Sequence, residues 1–362
     1  MTSRVPAERI RAQILAILDR WGMPQDLART TAEVMTETDL MGVDSHGISM
    51  LTSYERMRQA GQVRLDARPR VVRDGGPTAL VDGGASLGHP VAAMAMELAI
   101  TKAQAHGIGA VSVVNSHHFG AAGWYARLAA TRGLLGLVTS SARSVLLVPT
   151  GGAAPMLGTN PIAFAAPARR NRSFVLDMAT TTVAANKVKV YELNGKPVPE
   201  GWVVDGQGHP VTDSALAMEQ LFRRPEGGLT PLGGSAAGGG HKGYGLAMMA
   251  QILGATLSGG SFSPLRERNR TGADEPDNIG HFFLALDPAA FRLPGAFEDD
   301  LDDAIDALHA MPAADPARPV LVAGEPEEAE REARLAQGIP MPGTLLRQIA
   351  EICGRCGAPS LL

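Results

Sequence analysis

Two short stretches of this chain bring histidine together with hydroxyl and carboxylate side chains. Asp44-Ser45-His46-Gly47 lies between two helical patterns. Histidine is the side chain most easily set near neutral pH, so an imidazole held by a hydroxyl and a carboxylate can pass a proton to a carbonyl oxygen. The plainer alternative is a cap, with Asp44 or Ser45 as N-cap and His46 in the first turn. The second stretch, Asn115-Ser116-His117-His118-Phe119-Gly120, follows an apolar run at residues 109–114. Polar groups at a strand end, ahead of a glycine and a helix, stand where α/β sheets usually meet ligands. Adjacent histidines raise the question of a metal, but neighbours on a strand point to opposite faces and seldom share one ion. No metal is expected.

Three further stretches supply polar groups beside glycine or at a strand end. Pro149-Thr150-Gly151-Gly152 and Leu157-Gly158-Thr159-Asn160-Pro161 allow close backbone approach and hydrogen bonding to an amide or ribose, although ordinary turns use the same residues. Phe174-Val175-Leu176-Asp177-Met178-Ala179-Thr180-Thr181 is an apolar strand that ends on a carboxylate. Asp177 can orient a histidine or hold a cofactor hydroxyl, or else cap the following helix. Gly238-Gly239-Gly240-His241-Lys242-Gly243-Tyr244-Gly245 formally contains G-x-G-x-x-G. The residues before it, 232–237, are small and turn-like rather than a buried strand, so this is no Rossmann fingerprint, and no Gly-Lys-Ser/Thr makes it a P-loop. What survives is a helix N-terminus with free N–H groups and Lys242, suited to a pyrophosphate.

The elements that must position these groups fall into two textures. Residues 7–22, 24–40 and 48–60 carry apolar stripes at helical spacing, so the first 75 residues read as a helical subdomain. From residue 71 onward, short β-branched runs separated by glycines alternate with a helical stretch at 91–105. Strands are expected at 71–72, 78–81, 110–114, 134–139, 162–166 and 174–176. The pattern is mixed α/β, with residues 76–324 as the sheet domain. Residues 246–257 read as an apolar helix, 258–278 as a polar loop and 299–319 as an acidic, proline-bearing stretch. The charged segment 325–336 is helical and is expected to pack, with the rest of 325–362, on the N-terminal helices.

Bulk properties exclude other classes. At 362 residues the chain can bury a sizeable core without staples. It holds no apolar run of the ~18 residues that a membrane span requires, and charges scattered through its first 20 residues are unlike a secretory leader. A cytoplasmic protein is expected. Net charge is −4 and aromatics make up 4%, without basic clusters, so nucleic acid is not an expected partner. Cys353 and Cys356 form a C-x-x-C with no second pair and no thioredoxin-like context, and read as incidental.

The order and wording of these motifs closely resemble the malate/L-lactate dehydrogenase superfamily, which includes sulfolactate, ureidoglycolate and diketogulonate enzymes and cyclic-ketimine reductases. The landmarks are Gly42-Val43-Asp44-Ser45-His46-Gly47, Asn115 to Gly120, Gly158-Thr159-Asn160-Pro161, Leu176 to Thr180, Pro199-Glu200-Gly201-Trp202, Gly240 to Tyr244 and Gly324-Glu325. The resemblance implies a non-Rossmann fold, a homodimer with its site near the subunit interface, and NAD or NADP as cofactor. It implies His46 as proton donor and acceptor, Ser45 beside it, Asp177 orienting it, and His118 against a small 2-oxo acid or cyclic imine. Asn160, Asp177, Met178, Ala179, Thr180, Thr181, His241, Lys242, Gly324 and Glu325 fall where the family holds the dinucleotide. Two departures stand out. Met50 replaces an arginine that grips the substrate carboxylate, and Arg143 is the expected substitute. Asn186 replaces a glycine before the motif lysine, Lys187. Arg266, Arg268 and Arg270 are candidates for selecting a 2′-phosphate.

Overall fold

In the computed structural model, residues 2–269, 271, 272 and 274–362 are described, so Arg270 lies outside them. The chain opens with β1 (Thr2–Val5), α1 (Ala7–Arg20), α2 (Gln25–Leu40), a 3₁₀ turn at Ile48–Met50, and α3 (Leu51–Gln59). Next come β2 (Arg70–Gly75), β3 (Thr78–Asp82), α4 (Gly88–His106), β4 (Ile108–Ser116), α5 (Ala122–Ala130), β5 (Leu135–Ser140), β6 (Ile162–Ala166) and β7 (Phe174–Met178). A smaller lobe follows with α6 (Ala185–Leu193), β8 (Val203–Val204), α7 (Ser214–Phe222) and β9 (Gly228–Leu229). The remainder is α8 (Gly240–Gln251), a π-helical turn at Ile252–Thr256, α9 (Ser263–Asn269), β10 (Ile279–Leu286), α10 (Ala296–His309), α11 (Glu325–Gln337), β11 (Ile339–Pro342) and α12 (Gly343–Cys356).

Pro6 and Pro24 stand immediately before α1 and α2, where a missing N–H costs nothing. Ile10, Ile14, Ile17 and Leu18 then line one face of α1 and are wholly buried. They pack with Met35, Leu40, Leu51 and Tyr54, and from the far end of the chain with Ile339, Met341, Ile349, Ile352 and Cys353. The two chain ends are also joined by an antiparallel pair, Val5 opposite Ile339. Cys353 is a free thiol within this core, 3.1 Å from Gln13 Nε2, and Cys356 is free and half-buried.

The central sheet has seven strands in the order β2-β3-β4-β10-β5-β6-β7. The β3–β4 pair is parallel, whereas β10 runs antiparallel to both its neighbours. Helices α4 and α5 cover one face with Val91, Ala95, Met96, Ala99, Tyr125, Ala126 and Ala129, all wholly buried. Small residues let helix and sheet approach closely: a Cβ on Gly109 would lie 2.0 Å from Ala99 O, so only glycine fits there.

Three segments add to or differ from the sequence expectation. The acidic stretch 299–319 begins within a helix, α10 (Ala296–His309), where Leu301, Ile305 and Leu308 recur at helical spacing, and continues as turns beyond it. The stretch 258–278 contains a helix, α9, with Pro264 tolerated in its first turn. Strand β10, at the centre of the sheet, alternates Phe283 and Ala285 (inward) with Leu284 and Leu286, a run as compatible with a buried helix as with a strand. Phe283→Ala, at this central position, is expected to lower stability by about 3–5 kcal/mol, measured from urea unfolding.

Candidate active site

Helix α2 ends at Leu40 and the chain turns through Met41 and Gly42 into the loop that carries His46. Val43 N donates to Thr38 O at 3.1 Å and His46 N to Val43 O at 2.9 Å. The side chains of Asp44 and Ser45 do not cap the following 3₁₀ turn, whose N-cap is Gly47. Asp44 instead engages Arg334 of α11, and Ser45 Oγ lies 2.7 Å from His46 Nδ1. The half-buried imidazole of His46 is held below its ordinary pKa by burial, with the neutral ring favoured.

His46 stacks on His118 with ring centroids 5.4 Å apart and planes at 29°. The phenol of Tyr54, wholly buried on α3, lies 2.7 Å from His118 Nδ1 and 3.5 Å from His89 Nε2. Burial, and then the proximity of His46, push His118 well below its usual range and His89 down to about 3. Burial raises the Tyr54 phenol. With the phenol protonated and both rings neutral, Tyr54 Oη bridges His118 Nδ1 and His89 Nε2, able to donate to one and accept from the other. Neither Tyr54 nor His89 is marked by the sequence motifs; both sit within apolar helical stripes, and only the fold brings them here.

His117 and His118, in the irregular stretch just beyond β4, turn to different partners. His118 N donates to His117 Nδ1 at 3.0 Å, so the His117 proton sits on Nε2, 3.1 Å from Asp277 Oδ2. Asp277, wholly buried, also receives Arg143 Nε at 2.9 Å and Arg266 Nη1 at 3.0 Å. Burial alone would raise its pKa; the His117 hydrogen bond and the positive charges of Arg143 and Arg266 outweigh this and lower it. Arg143 further donates to Gln62 Oε1 at 3.2 Å.

A cleft of about 620 Å³ opens beside His46. Ser45, His46, Val43 and Thr38 form one side, the Gly120–Gly123 approach to α5 another, and the end of β7 with Gly324 and Glu327 the third. Of the residues marked from sequence, Ser45, His46, Asp177, Met178, Ala179 and Gly324 line it. Asp177 is open to the cleft on one side, and its Oδ2 accepts from Gly123 N at 2.7 Å, at the start of α5 rather than at a following helix or at His46. Protein packed around its other side raises this carboxyl to about 6 against that hydrogen bond, and Glu327 adds to the rise.

The other marked residues lie off the cleft lining. Met50 packs against the N-terminal core. Asn160 is buried, with Nδ2 on Ala247 O at 3.0 Å, while its neighbours Thr159 and Pro161 reach the cleft. The Thr180 and Thr181 hydroxyls donate to Thr159 O and Val183 O. His241 and Lys242 are exposed at the start of α8, and Lys187 lies 5.3 Å over the Trp202 ring. Glu325 accepts from Val322 N at 2.9 Å and pairs with His309. The cleft also holds two arginines that no motif marks: Arg127 pairs with Glu328, and Arg172 with Glu328 and Glu332. Asp277→Asn, which removes the buried carboxylate shared by Arg143 and Arg266 and leaves Glu267 as the remaining anion on Arg266, is expected to cost about 3 kcal/mol of stability, read from the urea midpoint at constant slope.

Comparison with known proteins places the chain among them by sequence and fold. A family model described as malate/L-lactate dehydrogenase matches residues 5–350. The malate dehydrogenase of Pyrococcus horikoshii is 38% identical over 359 residues, which cover 99% of this chain and 97% of that protein. The solved structure of malate dehydrogenase from Entamoeba histolytica matches with a TM-score of 0.93 at 30% identity, over 99% of both chains. That of delta1-piperideine-2-carboxylate reductase from Pseudomonas syringae matches with a TM-score of 0.82 at 28% identity, over 97% of this chain and all of that one, 100%. The chain belongs to the malate/L-lactate dehydrogenase family.

Proposed function

We propose that this protein is a nicotinamide-dependent oxidoreductase in which His46 exchanges a proton with the oxygen on C2 of a small 2-hydroxy or 2-oxo acid as hydride leaves or reaches that carbon. One observation carries this reading: a neutral imidazole, fixed at Nδ1 by Ser45 Oγ, faces a cleft that also receives the end of β7. The cleft suits a dinucleotide. Met41, Val43, Trp124, Pro161 and Met178 offer apolar surface to a planar ring, and Asp177 offers a carboxylate to a ribose hydroxyl. Asp177, Met178, Ala179 and Gly324 would hold the group, with Asn160, Thr180, Thr181, His241, Lys242 and Glu325 as the remaining family positions. A bound NAD or NADP supplies or accepts the hydride.

In oxidation, the Nδ1–H of His46 donates to Ser45 Oγ and its Nε2 lone pair takes the substrate hydroxyl proton. In reduction, the protonated imidazole returns that proton to the oxygen as negative charge builds there. Because burial disfavours the imidazolium, the proton it carries is readily given up. His118, stacked on His46 although not itself on the cleft lining, is the family's substrate-pocket position and would supply an imidazole to the substrate. We read the protein as a cytoplasmic homodimer without nucleic-acid or membrane partners; the exposed Leu193, Phe222 and Leu257 support burial against a second copy.

A second reading, reduction of a cyclic imino acid, is favoured by Met50, which removes a guanidinium from the loop, and by the likeness to a reductase of that kind. A protonated imine is already cationic, so His46 would matter less as an acid.

A spectrophotometric screen of oxo acids and cyclic imines with both reduced coenzymes tests these readings. Turnover of oxo acids supports the first, and turnover of imines alone replaces it with the second. His46→Ala is expected to lower kcat on oxo acids by about 10²–10⁴; intact activity would remove the proposal. Since His46 titrates below its usual value, kcat/KM for reduction should fall, and that for oxidation rise, as pH climbs through that lowered pKa. Arg143→Met should raise KM for oxo acids if its guanidinium, held on Asp277 and Gln62, reaches the substrate; an unchanged KM shows that it does not.

A further inference from the structure

The proposed chemistry makes no use of Asp39, yet its carboxyl lies directly beneath the loop that carries His46. Asp39 belongs to the last turn of α2 and is 2% exposed. Its Oδ2 accepts from Ile48 N at 2.8 Å, across the loop. Gly47 lies flat on the same carboxyl: a Cβ there would stand 1.8 Å from Asp39 Oδ1 and 2.0 Å from its Cγ. No rotation of so short a side chain clears such an overlap while keeping the bond to Ile48, so the pair Asp39 and Gly47 is a fitted contact. From the other side, Arg334 of α11 donates through Nη1 to Asp39 O at 2.7 Å and grips Asp44. The residues on both sides of His46 are thus fixed, one by Arg334 and two by Asp39.

We propose that Asp39 is a positioning residue, whose carboxyl, pressed on Gly47 and holding the Ile48 N–H, sets where the His46 imidazole stands in the cleft. The inference rests on the reading of His46 as the proton-exchanging group.

The form in which Asp39 does this follows from its surroundings. Burial raises its pKa to about 8, the bond from Ile48 N opposes that, Asp44 adds to the rise and Arg334 lowers it. Among the described residues, the charged groups that face it are Asp44 from the loop and Arg334 from α11, the latter also holding Glu330 through Nε at 2.6 Å. At neutral pH Asp39 is a neutral acid: one oxygen accepts from Ile48 and the other rests on Gly47 Cα. A carboxyl with a raised folded pKa stabilises the fold fully below its ordinary value near 3.8, and that contribution fades as pH rises towards 8. Ionised, it repels Asp44 and competes with it for Arg334, loosening the Asp44 end of the loop while Ile48 N stays bonded to the carboxylate, and the ring between the two ends shifts.

The test uses the oxidation direction, in which the ionisation of His46 gives a rise at low pH and Asp39 a separate fall. In the parent protein kcat should plateau and then fall near pH 8. Asp39→Asn keeps the shape and the acceptor but cannot ionise; it should hold the plateau value within about threefold and lose the fall. Asp39→Ala and Gly47→Ala should each lower kcat by about a hundredfold, with coenzyme affinity by calorimetry unchanged. A fall near pH 8 that persists in Asp39→Asn, or a folded Gly47→Ala with parental kcat, overturns the proposal. Should no substrate in the screen turn over, the ring resonances of His46, assigned with His46→Gln, give the same answer. A second inflection near pH 8 in the parent that vanishes in Asp39→Asn supports the inference, and its presence in both or in neither refutes it. Coenzyme binding reports separately on the oxidoreductase reading.

Discussion

Removal of imidazoles from water is the constraint on which the rest of the site depends. His89 and His118 crowd around the Tyr54 phenol and His46 stacks on His118, and each ring is held below its normal pKa, first by burial and, for His89 and His118, by its neighbours as well. A proton added to any one of them meets low dielectric and nearby rings rather than solvent. His46, at the cleft wall, is the member that can pass a proton to something outside the cluster. Tyr54 Oη and Ser45 Oγ each engage one ring nitrogen, of His118 and His46 respectively, and leave the other available, so each ring's orientation is set by its hydroxyl partner. The same logic separates the histidines that are structural. His281 bonds Ser116 Oγ at 2.9 Å and Ser140 Oγ at 2.8 Å inside the sheet, both nitrogens satisfied, and His117 is occupied on both sides by His118 N and Asp277.

The sequence makes some of this visible because short-range physics writes it there. Apolar stripes at helical spacing mark α1 to α3, and β-branched runs between glycines mark most of the sheet. The pair Ser45 and His46 is adjacent in the chain, and Asp177 stands at the end of its strand, so both can be found without a fold. What stays hidden depends on distance along the chain. Asp277 lies 160 residues from the histidine that it touches, counting from 117 to 277, in a stretch whose polar composition hides α9. Arg334 reaches Asp44 across 290 positions. Arg127 and Arg172 are ordinary surface arginines by composition and become cleft residues only because α5, β7 and α11 converge. Tyr54 reads as one more apolar residue on a helix until His118 is placed beside its hydroxyl.

Met50 shows the limit in the other direction. A departure from the arginine that the resemblance implies at position 50 can be named from sequence, but where a compensating cation would stand cannot. In the fold Met50 joins the N-terminal core, and the arginine at 143 is drawn to a buried carboxylate. Substituting an apolar side chain at this point adds to the packing under the His46 loop, while the charge that would have gripped a substrate is lost. A neutral imidazole such as His118, were it to take that place, would discriminate less strongly among anions than a bidentate guanidinium does.

The loop that carries His46 is held from three directions, and one of them also walls the cleft. Helix α11 begins at Glu325, just after cleft-lining Gly324, and presents Glu327, Glu328 and Glu332 to the cleft. One turn further on, Arg331 pairs with Glu37 of α2 at 2.8 Å and Arg334 clamps Asp44 and the carbonyl of Asp39. A single rigid helix therefore bears on both the space a dinucleotide would occupy and the loop bearing the proton-exchanging ring. Any ligand that shifts Glu327 or Glu328 must move the helix or break its arginine pairs, and either response reaches Asp44 within three turns of helix. Because α11 is fixed in turn by the pairing of β1 with β11 and by α12 in the N-terminal core, the geometry of the site is closed only when both ends of the chain have met. Its precision is a property of the most non-local contacts in the fold, each of which carries the entropic cost of closing nearly the whole chain.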